Sequence, residues 1–190
     1  MEVLMAAKLT GKRVCILATN GFEQSELEVP RDRLSEAGAE VHVVSPEHGV
    51  IRGWDGDDWG QSVKVDVALS GANDADYDAL VLPGGQINPD LLRVNDDALA
   101  LIKAFYAAGK PIAAICHAPW LLVETGIAAG RKMTSYHSIR NDVINAGAKW
   151  QDKEVVSDGG IVTSRNPGDL EAFSKAIIAE IREAGERAAA

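Results

Sequence analysis

Strands and helices alternate along the whole chain, and this alternation predicts an α/β sandwich on a mostly parallel sheet. Three stretches carry the prediction. Lys12 to Ala18 is a near-continuous apolar run, followed by a helical pattern from about Ser25 to Ala37 and a second strand from Glu40 to Val44. That is the order of a right-handed parallel crossover. Tyr77 to Leu82 and Pro111 to Ile115 are short apolar runs of the kind found in strands buried on both faces.

The totals agree with one folded unit. The chain has 190 residues, 46% of them hydrophobic and 25% charged, which is ordinary for a globular domain with a sizeable core. No Pro/Ser-rich linker or internal repeat divides it, so residues 11–190 read as a single domain behind a flexible leader over 1–10. No apolar run reaches membrane-spanning length, and Met1 to Leu9 carries no signal-peptide core, which together predict a cytoplasmic protein. A net charge of −9 argues against a nucleic-acid surface. Its two cysteines, Cys15 and Cys116, fall on separate strands, so no structural disulfide is expected.

The elements follow in order. Gly38 closes the first helix as a left-handed cap, and Pro30 is expected to kink it. Ser45 to Ser62, with four glycines, is an irregular or hairpin excursion; Val63 to Leu69 is a further strand and Ser70 to Asp76 a polar loop. The strand ending at Leu82 runs into Pro83-Gly84-Gly85, and Asp96 to Ala107 is a helix capped by Gly109. Lys132 to Tyr136 is a short strand, and Ser138 to Ala146 a helix with Ser138 as its cap and Gly147 as its end. Val155 to Thr163 reads as two strands turning at Asp158-Gly159-Gly160. Pro167 to Ala184 is the last helix, with Asp169 and Glu171 complementing its dipole, and Ala188 to Ala190 frays.

Chemistry concentrates at Pro111 to Val123, where an apolar strand breaks at Cys116 and Ala118-Pro119 opens a helix. A residue there sits on a tight strand-to-helix turn with its side chain above the strand's carboxyl end, and Ala113, Ala114 and Ala118 leave it room. The helix dipole is expected to favour the thiolate. His117, next in sequence, is placed to take the thiol proton. The competing readings are that Cys116 is a small buried hydrophobe and His117 a solvated turn residue.

In such sheets ligands bind beyond the carboxyl ends of the strands. Two further loops reach that edge. In Asn20-Gly21-Phe22-Glu23-Gln24-Ser25-Glu26, Glu26 points back over the strand ends, either protonated as a donor to the thiolate or ionised as a proton acceptor; as plainly, it complements a helix dipole. Gly84 and Gly85 let backbone amides approach a ligand, and Gly85 with the His117 amide forms a candidate oxyanion hole, unless the pair only makes a turn. Asp55 to Gly60 lacks the helices and the ligand at Trp59 that a calcium loop needs. The four histidines form no metal-ligand cluster, so neither metal nor cofactor is expected.

Asn-Gly-Phe-Glu…Glu at 20–26, Val-Leu-Pro-Gly-Gly at 81–85, Ala-Ile-Cys-His-Ala at 114–118 and Val-Thr-Ser-Arg-Asn-Pro-Gly-Asp-Leu at 162–170 together resemble the PfpI-type intracellular protease family. These are relatives of the parkinsonism-associated protein deglycase, within the class I glutamine amidotransferase-like superfamily. The resemblance implies a flavodoxin-like sandwich, a nucleophile at Cys116 and a glutamate, Glu26, in contact with it. It also implies a homodimer or larger homo-oligomer in which Asp90, an aspartate where the family more usually has glutamate, reaches His117 of a second copy. Read from the residues alone, Asp90 equally caps a helix-like segment Leu91-Leu92-Arg93. No histidine is followed two residues on by glutamate, so the amidotransferase likeness is one of fold only.

The expected function is a cysteine-dependent hydrolase of the stress response, acting on small reactive carbonyls, on glycated proteins in deglycase or glyoxalase fashion, or on peptides as a protease. The rival is a non-enzymatic redox sensor or chaperone-like protein using an oxidisable Cys116.

Overall fold

The computed structural model describes residues 9–189. In chain order the elements are β1 (Arg13–Leu17), β2 (Phe22–Glu23), α1 (Gln24–Glu36), β3 (Glu40–Ser45), β4 (Val50–Asp55), β5 (Asp58–Lys64), β6 (Val67–Ala68), β7 (Ala79–Leu82), α2 (Ile87–Leu92), α3 (Asp96–Ala107), β8 (Ile112–Ile115), α4 (Pro119–Glu124), β9 (Lys132–Met133), α5 (Arg140–Asn145), β10 (Lys149–Trp150), β11 (Val155–Asp158), β12 (Ile161–Ser164) and α6 (Leu170–Ala189).

The main sheet has seven strands in the order β11-β12-β8-β7-β1-β3-β6. All neighbours are parallel except β11 and β12, which form an antiparallel hairpin across Gly159-Gly160. The pleat sends alternate residues to opposite faces. Cys15, Leu17, Leu80 and Leu82 pack with Phe105 of α3, Leu122 of α4 and Val143 of α5. Val14, Ile16, Ala79 and Val81 pack with Leu27 and Leu34 of α1 and Phe173 and Ile177 of α6. Helices thus cover both faces of the sheet, and the result is the expected three-layer, flavodoxin-like sandwich. Because each central strand is buried on both sides, its sequence is apolar throughout rather than alternating.

Several expectations change in detail. The excursion after β3 is the β4–β5 hairpin, whose β4 pairs with β2 in a separate three-stranded sheet; Val63 and Lys64 end β5, while Val67 and Ala68 alone form β6. The strand expected over Lys132 to Tyr136 shrinks to β9. Ser138 is no helix cap: it lies in a 3-10 turn, His137–Ile139, ahead of α5. A 3-10 turn, Pro167–Asp169, also precedes α6, and Asp169 there is buried against the Arg165 guanidinium rather than facing a dipole. Pro30 is buried inside α1, which continues to Glu36 on either side of it. Residues 1–8 of the expected leader, and Ala190, lie outside the described residues; Leu9 is buried and its amide bonds the Ala37 carbonyl at 2.9 Å.

The order of strands reverses between β1 and β7. From β1 the chain runs outward through β3 and β6, then returns to the other side of β1 at β7. Such a reversal opens a crevice at the carboxyl ends of the strands. Three loops meet there, after β1, β7 and β8.

Candidate active site

Cys116 follows β8 at once and has φ +63°, the only positive φ of a non-glycine residue among the described residues. For an L-residue this conformation costs about 1–2 kcal/mol, so the surroundings must impose it. They do so from both sides: the Cys116 amide donates to the Ser164 carbonyl of β12 at 3.1 Å, and the Cys116 carbonyl accepts from the Tyr136 amide at 2.8 Å. Ala113, Ala114 and Ala118 are buried around the corner, and Pro119 opens α4.

The Gly-Gly loop presses on this corner. A Cβ at Gly84 would lie 2.4 Å from Glu26 Oε2, 2.6 Å from the Ile115 carbonyl and 2.7 Å from Cys116 Cβ, so only glycine fits. Gly85 has φ +82°, and a Cβ there would meet the Gly21 carbonyl at 2.6 Å. Asn88 anchors the arrangement from α2. Its Oδ1 accepts from the Thr19 amide, and its Nδ2 donates to the Pro83 and Gly84 carbonyls, all in the interior.

Glu26 is fully buried. Oε2 accepts from the Gly84 amide at 2.9 Å; Oε1 has no hydrogen bond of full geometry, although its carboxyl interacts with the Cys116 thiol. Burial, and then the charge of Glu23, push the Glu26 carboxyl up to about 8, so it holds its proton at neutral pH. Burial also pushes the Cys116 thiol up, as would a negative charge on Glu26; the Gly85 and His117 amides act in the opposite direction. The expected dipole-stabilised thiolate is therefore corrected. α4 is a short helix, and what favours negative charge at the sulfur is this pair of amides, with Glu26 supplying a hydrogen when protonated.

His117 lies beside the sulfur, with Nδ1 at 3.1 Å from Cys116 Sγ and Nε2 at 3.1 Å from Ser138 Oγ. Its ring is stacked on Tyr136 at 4.7 Å and meets Trp120 edge-on at 5.3 Å. Burial, and then the neighbouring His137, lower its pKa to about 4, leaving the ring neutral at pH 7. With the thiol protonated, S–H donates to Nδ1 and Nε2–H donates to Ser138.

These groups line one side of a cavity of about 530 Å³ that also touches Glu23, Trp54 and Tyr136. Cys116, His117, Glu26, Gly84 and Gly85 thus come together as the sequence places them. Asp90 does not join them within the chain. It is exposed in the first turn of α2 and caps nothing, Gln86 being the residue before the helix, and it borders a shallow groove with Ile87, Leu91 and Trp120. Of the stretch Ile87-Asn88-Pro89, only Ile87 is exposed; Asn88 and Pro89 are buried. Ser138, Tyr136, Asn88 and Trp54 also belong to the site, and no sequence motif placed them there. Asn88 alone had a local signal, a polar residue just beyond a Gly-Gly turn.

A strained cysteine on a strand-to-helix corner, faced by a buried glutamate and two backbone amides on a parallel α/β sandwich, defines a class of protein. The DJ-1/PfpI family model matches residues 12–180, and the chain belongs to that family. It is 46% identical over 166 residues to the protein named Deglycase PfpI from Pyrococcus furiosus, covering 87% of this chain and 97% of that one. It is 40% identical over 166 residues to Protein/nucleic acid deglycase 2 of Escherichia coli, covering 86% and 94% respectively. Among solved structures, Drosophila melanogaster DJ-1beta superposes with a TM-score of 0.81 at 28% identity, over 92% of this chain and 96% of that one. No described helix is long and apolar enough to cross a membrane.

Proposed function

We propose that the protein is a cysteine-dependent enzyme that acts on 2-oxoaldehydes and on their adducts with protein amines. The observation that carries this reading is the Glu26 carboxyl, held protonated against the Cys116 sulfur inside the cavity. The names of the relatives from P. furiosus and E. coli support it.

The chemistry follows from the groups present. Cys116 Sγ adds to the aldehyde carbon; an S–C bond forms, the C=O π electrons pass to oxygen, and Glu26 relays the thiol proton to that oxygen. With an amine adduct as substrate, sulfur displaces the amine, which leaves with the proton. Either route gives a hemithioacetal whose oxygen lies against the Gly85 and His117 amides. Ionised Glu26, a form within reach near neutral pH for a carboxyl at about 8, then takes the proton from the former aldehyde carbon and returns it to the neighbouring carbonyl carbon, while the hydroxyl proton passes to that carbonyl's oxygen. The first carbon is oxidised and the second reduced, giving a thioester of a 2-hydroxy acid. Water attacks the thioester, the S–C bond breaks, and Cys116 regains its proton. No outside oxidant enters.

Peptide hydrolysis asks for more. It needs a charged imidazole to protonate the leaving amine, and a neutral His117 lacks the carboxylate that would stabilise that form. In our reading Asp90 of a second copy supplies it, which makes the active peptidase a homo-oligomer. Asp90→Asn should then lower peptidase turnover and leave carbonyl turnover in place, and a fully active monomer in sedimentation overturns the shared site. A cytoplasmic setting fits two cysteines that are both free thiols.

The deciding measurement is hydroxy-acid production from methylglyoxal, and amine release from a methylglyoxal-treated peptide, by the wild type and Cys116→Ser. A loss of at least about 100-fold is expected when the nucleophile goes; equal rates overturn the reading. The same amides and protonated carboxyl would also hold the oxygens of an oxidised sulfur, which favours redox sensing as a second reading. It fails if Cys116 stays a thiol under mild peroxide while a methionine is oxidised.

A further inference from the structure

We infer that the mouth of the Cys116 cavity selects carbonyl compounds that carry a positive charge, through the Glu23 carboxylate that lines it and the Asp55 carboxylate behind Glu23, next to the Trp54 indole. This rests on the cavity being the substrate site, as proposed above, and names the substrate class it takes.

Glu23 and Trp54 both line the cavity, and among the described residues no lysine or arginine does. The Glu23 carboxylate accepts from Ser25, from its Oγ at 3.2 Å and from its amide, both of them neutral donors. Among the described residues neither Glu23 nor Asp55 has an ion pair, and the charge of Asp55 acts on Glu23 directly. Partial burial and that repulsion both raise the Glu23 carboxyl, and a cation at the mouth relieves both. Trp54 is fixed by its indole N–H, which donates to the Gly56 carbonyl at 2.9 Å, and by an edge contact with Trp59 at 5.6 Å.

Arg52 donates to the Gly60 and Trp59 carbonyls, and Arg165 is held by Asp169 and Asp152. Deeper in the same cavity, the fully buried Glu26 Oε1 has no hydrogen bond of full geometry and only the Cys116 thiol for company. Two carboxylates without ion pairs at a partly walled entrance focus a negative potential on it, and the indole that lines it adds a polarisable surface for an alkylated or protonated amine. An anionic aldehyde meets the same field as a barrier.

The test uses the full chain and two thiol reagents of matched reactivity, methanethiosulfonates bearing a trimethylammonium or a sulfonate group, with modification at Cys116 followed by mass spectrometry. The ratio of the cationic to the anionic rate, divided by that for 2-mercaptoethanol, should be about tenfold or more at low ionic strength and shrink as salt is added. It should fall several-fold in a Glu23→Gln, Asp55→Asn double variant whose melting temperature shows it folded. A ratio equal to that of the free thiol, or unchanged in the double variant, overturns the inference. In parallel, kcat/KM is compared for arylglyoxals bearing trimethylammonium, no charge or carboxylate. A cationic preference that the double variant reduces supports the inference. Turnover without such a preference overturns it and leaves the carbonyl reading standing; reagent preference without turnover does the reverse.

Discussion

Asn88 bonds the Thr19 amide through Oδ1 at 2.8 Å while its own amide holds the Pro83 and Gly84 carbonyls at 2.9 and 3.2 Å, so one buried side chain ties the end of β1 to the loop after β7. Asn88→Ala strands the Thr19 amide and the Pro83 carbonyl in the interior, the Gly84 carbonyl keeping the Glu23 amide at 3.2 Å, and should destabilise the fold by about 2–4 kcal/mol. Turnover should fall further than the folded fraction does, because the Gly84 amide loses its register on Glu26. Urea unfolding and kinetics on one preparation check both.

Glu26 gives stability a definite pH dependence. Its folded pKa of about 8 lies above the ordinary 4.5, so the folded state binds more protons than the unfolded state in that interval, and stability falls as pH rises through it. His117, lowered from 6.5 to about 4, acts oppositely: its contribution is complete above 6.5 and is lost as pH falls towards 4. The two oppose each other between about 4.5 and 6.5, leaving Glu26 alone between about 6.5 and 8. Stability should decline across that upper window in the wild type. Glu26→Gln, which copies the protonated shape, should flatten it. Denaturation midpoints at a series of pH values decide; an equal slope in both proteins contradicts the assignment.

Gly84→Ala brings a methyl group against a carboxyl, a carbonyl and the nucleophile's own Cβ, all within 2.7 Å. No flexible chain end is there to give way except Glu26 itself. A loss of about 2–4 kcal/mol and of nearly all turnover is expected, read from calorimetry and kinetics.

Ser138 completes the hydrogen-bond chain that runs from the Cys116 thiol through His117. With Nε2–H donating to Ser138 Oγ, Nδ1 is left free to accept from the thiol. Nitrogen NMR should find the Nε2–H form in the wild type and a mixture in Ser138→Ala. Turnover should fall by less than about tenfold, since a neutral hydrogen bond is worth about 1 kcal/mol.

The central strands were legible because burial on both faces leaves a continuous apolar run, and Cys116 with His117 was legible because the corner is local. The β4–β5 hairpin was not resolved as such, since β5 is mostly exposed and reads Asp-Trp-Gly-Gln-Ser-Val-Lys with no apolar stripe. α2 was misplaced because it is one short segment with Pro89 inside it. Ser138, Tyr136 and Trp54 reach the site through tertiary folding alone. Nothing in the residues around them marks it, and Ser138 looks locally like a helix cap.

The backbone hydrogen bonds that hold the left-handed turn at Cys116 come from Tyr136 and Ser164, both later in the chain. Until β12 docks beside β8, nothing compels that conformation, and the cysteine relaxes to an ordinary extended or helical geometry with its thiol no longer set against Glu26 and the two amides. During synthesis, therefore, the nucleophile emerges well before the segment that arms it. A nascent or truncated chain ending before Ser164 carries the complete Cys-His sequence and none of its imposed geometry, so reactivity switches on as a late event of folding, after the long-range pairing that closes the sheet.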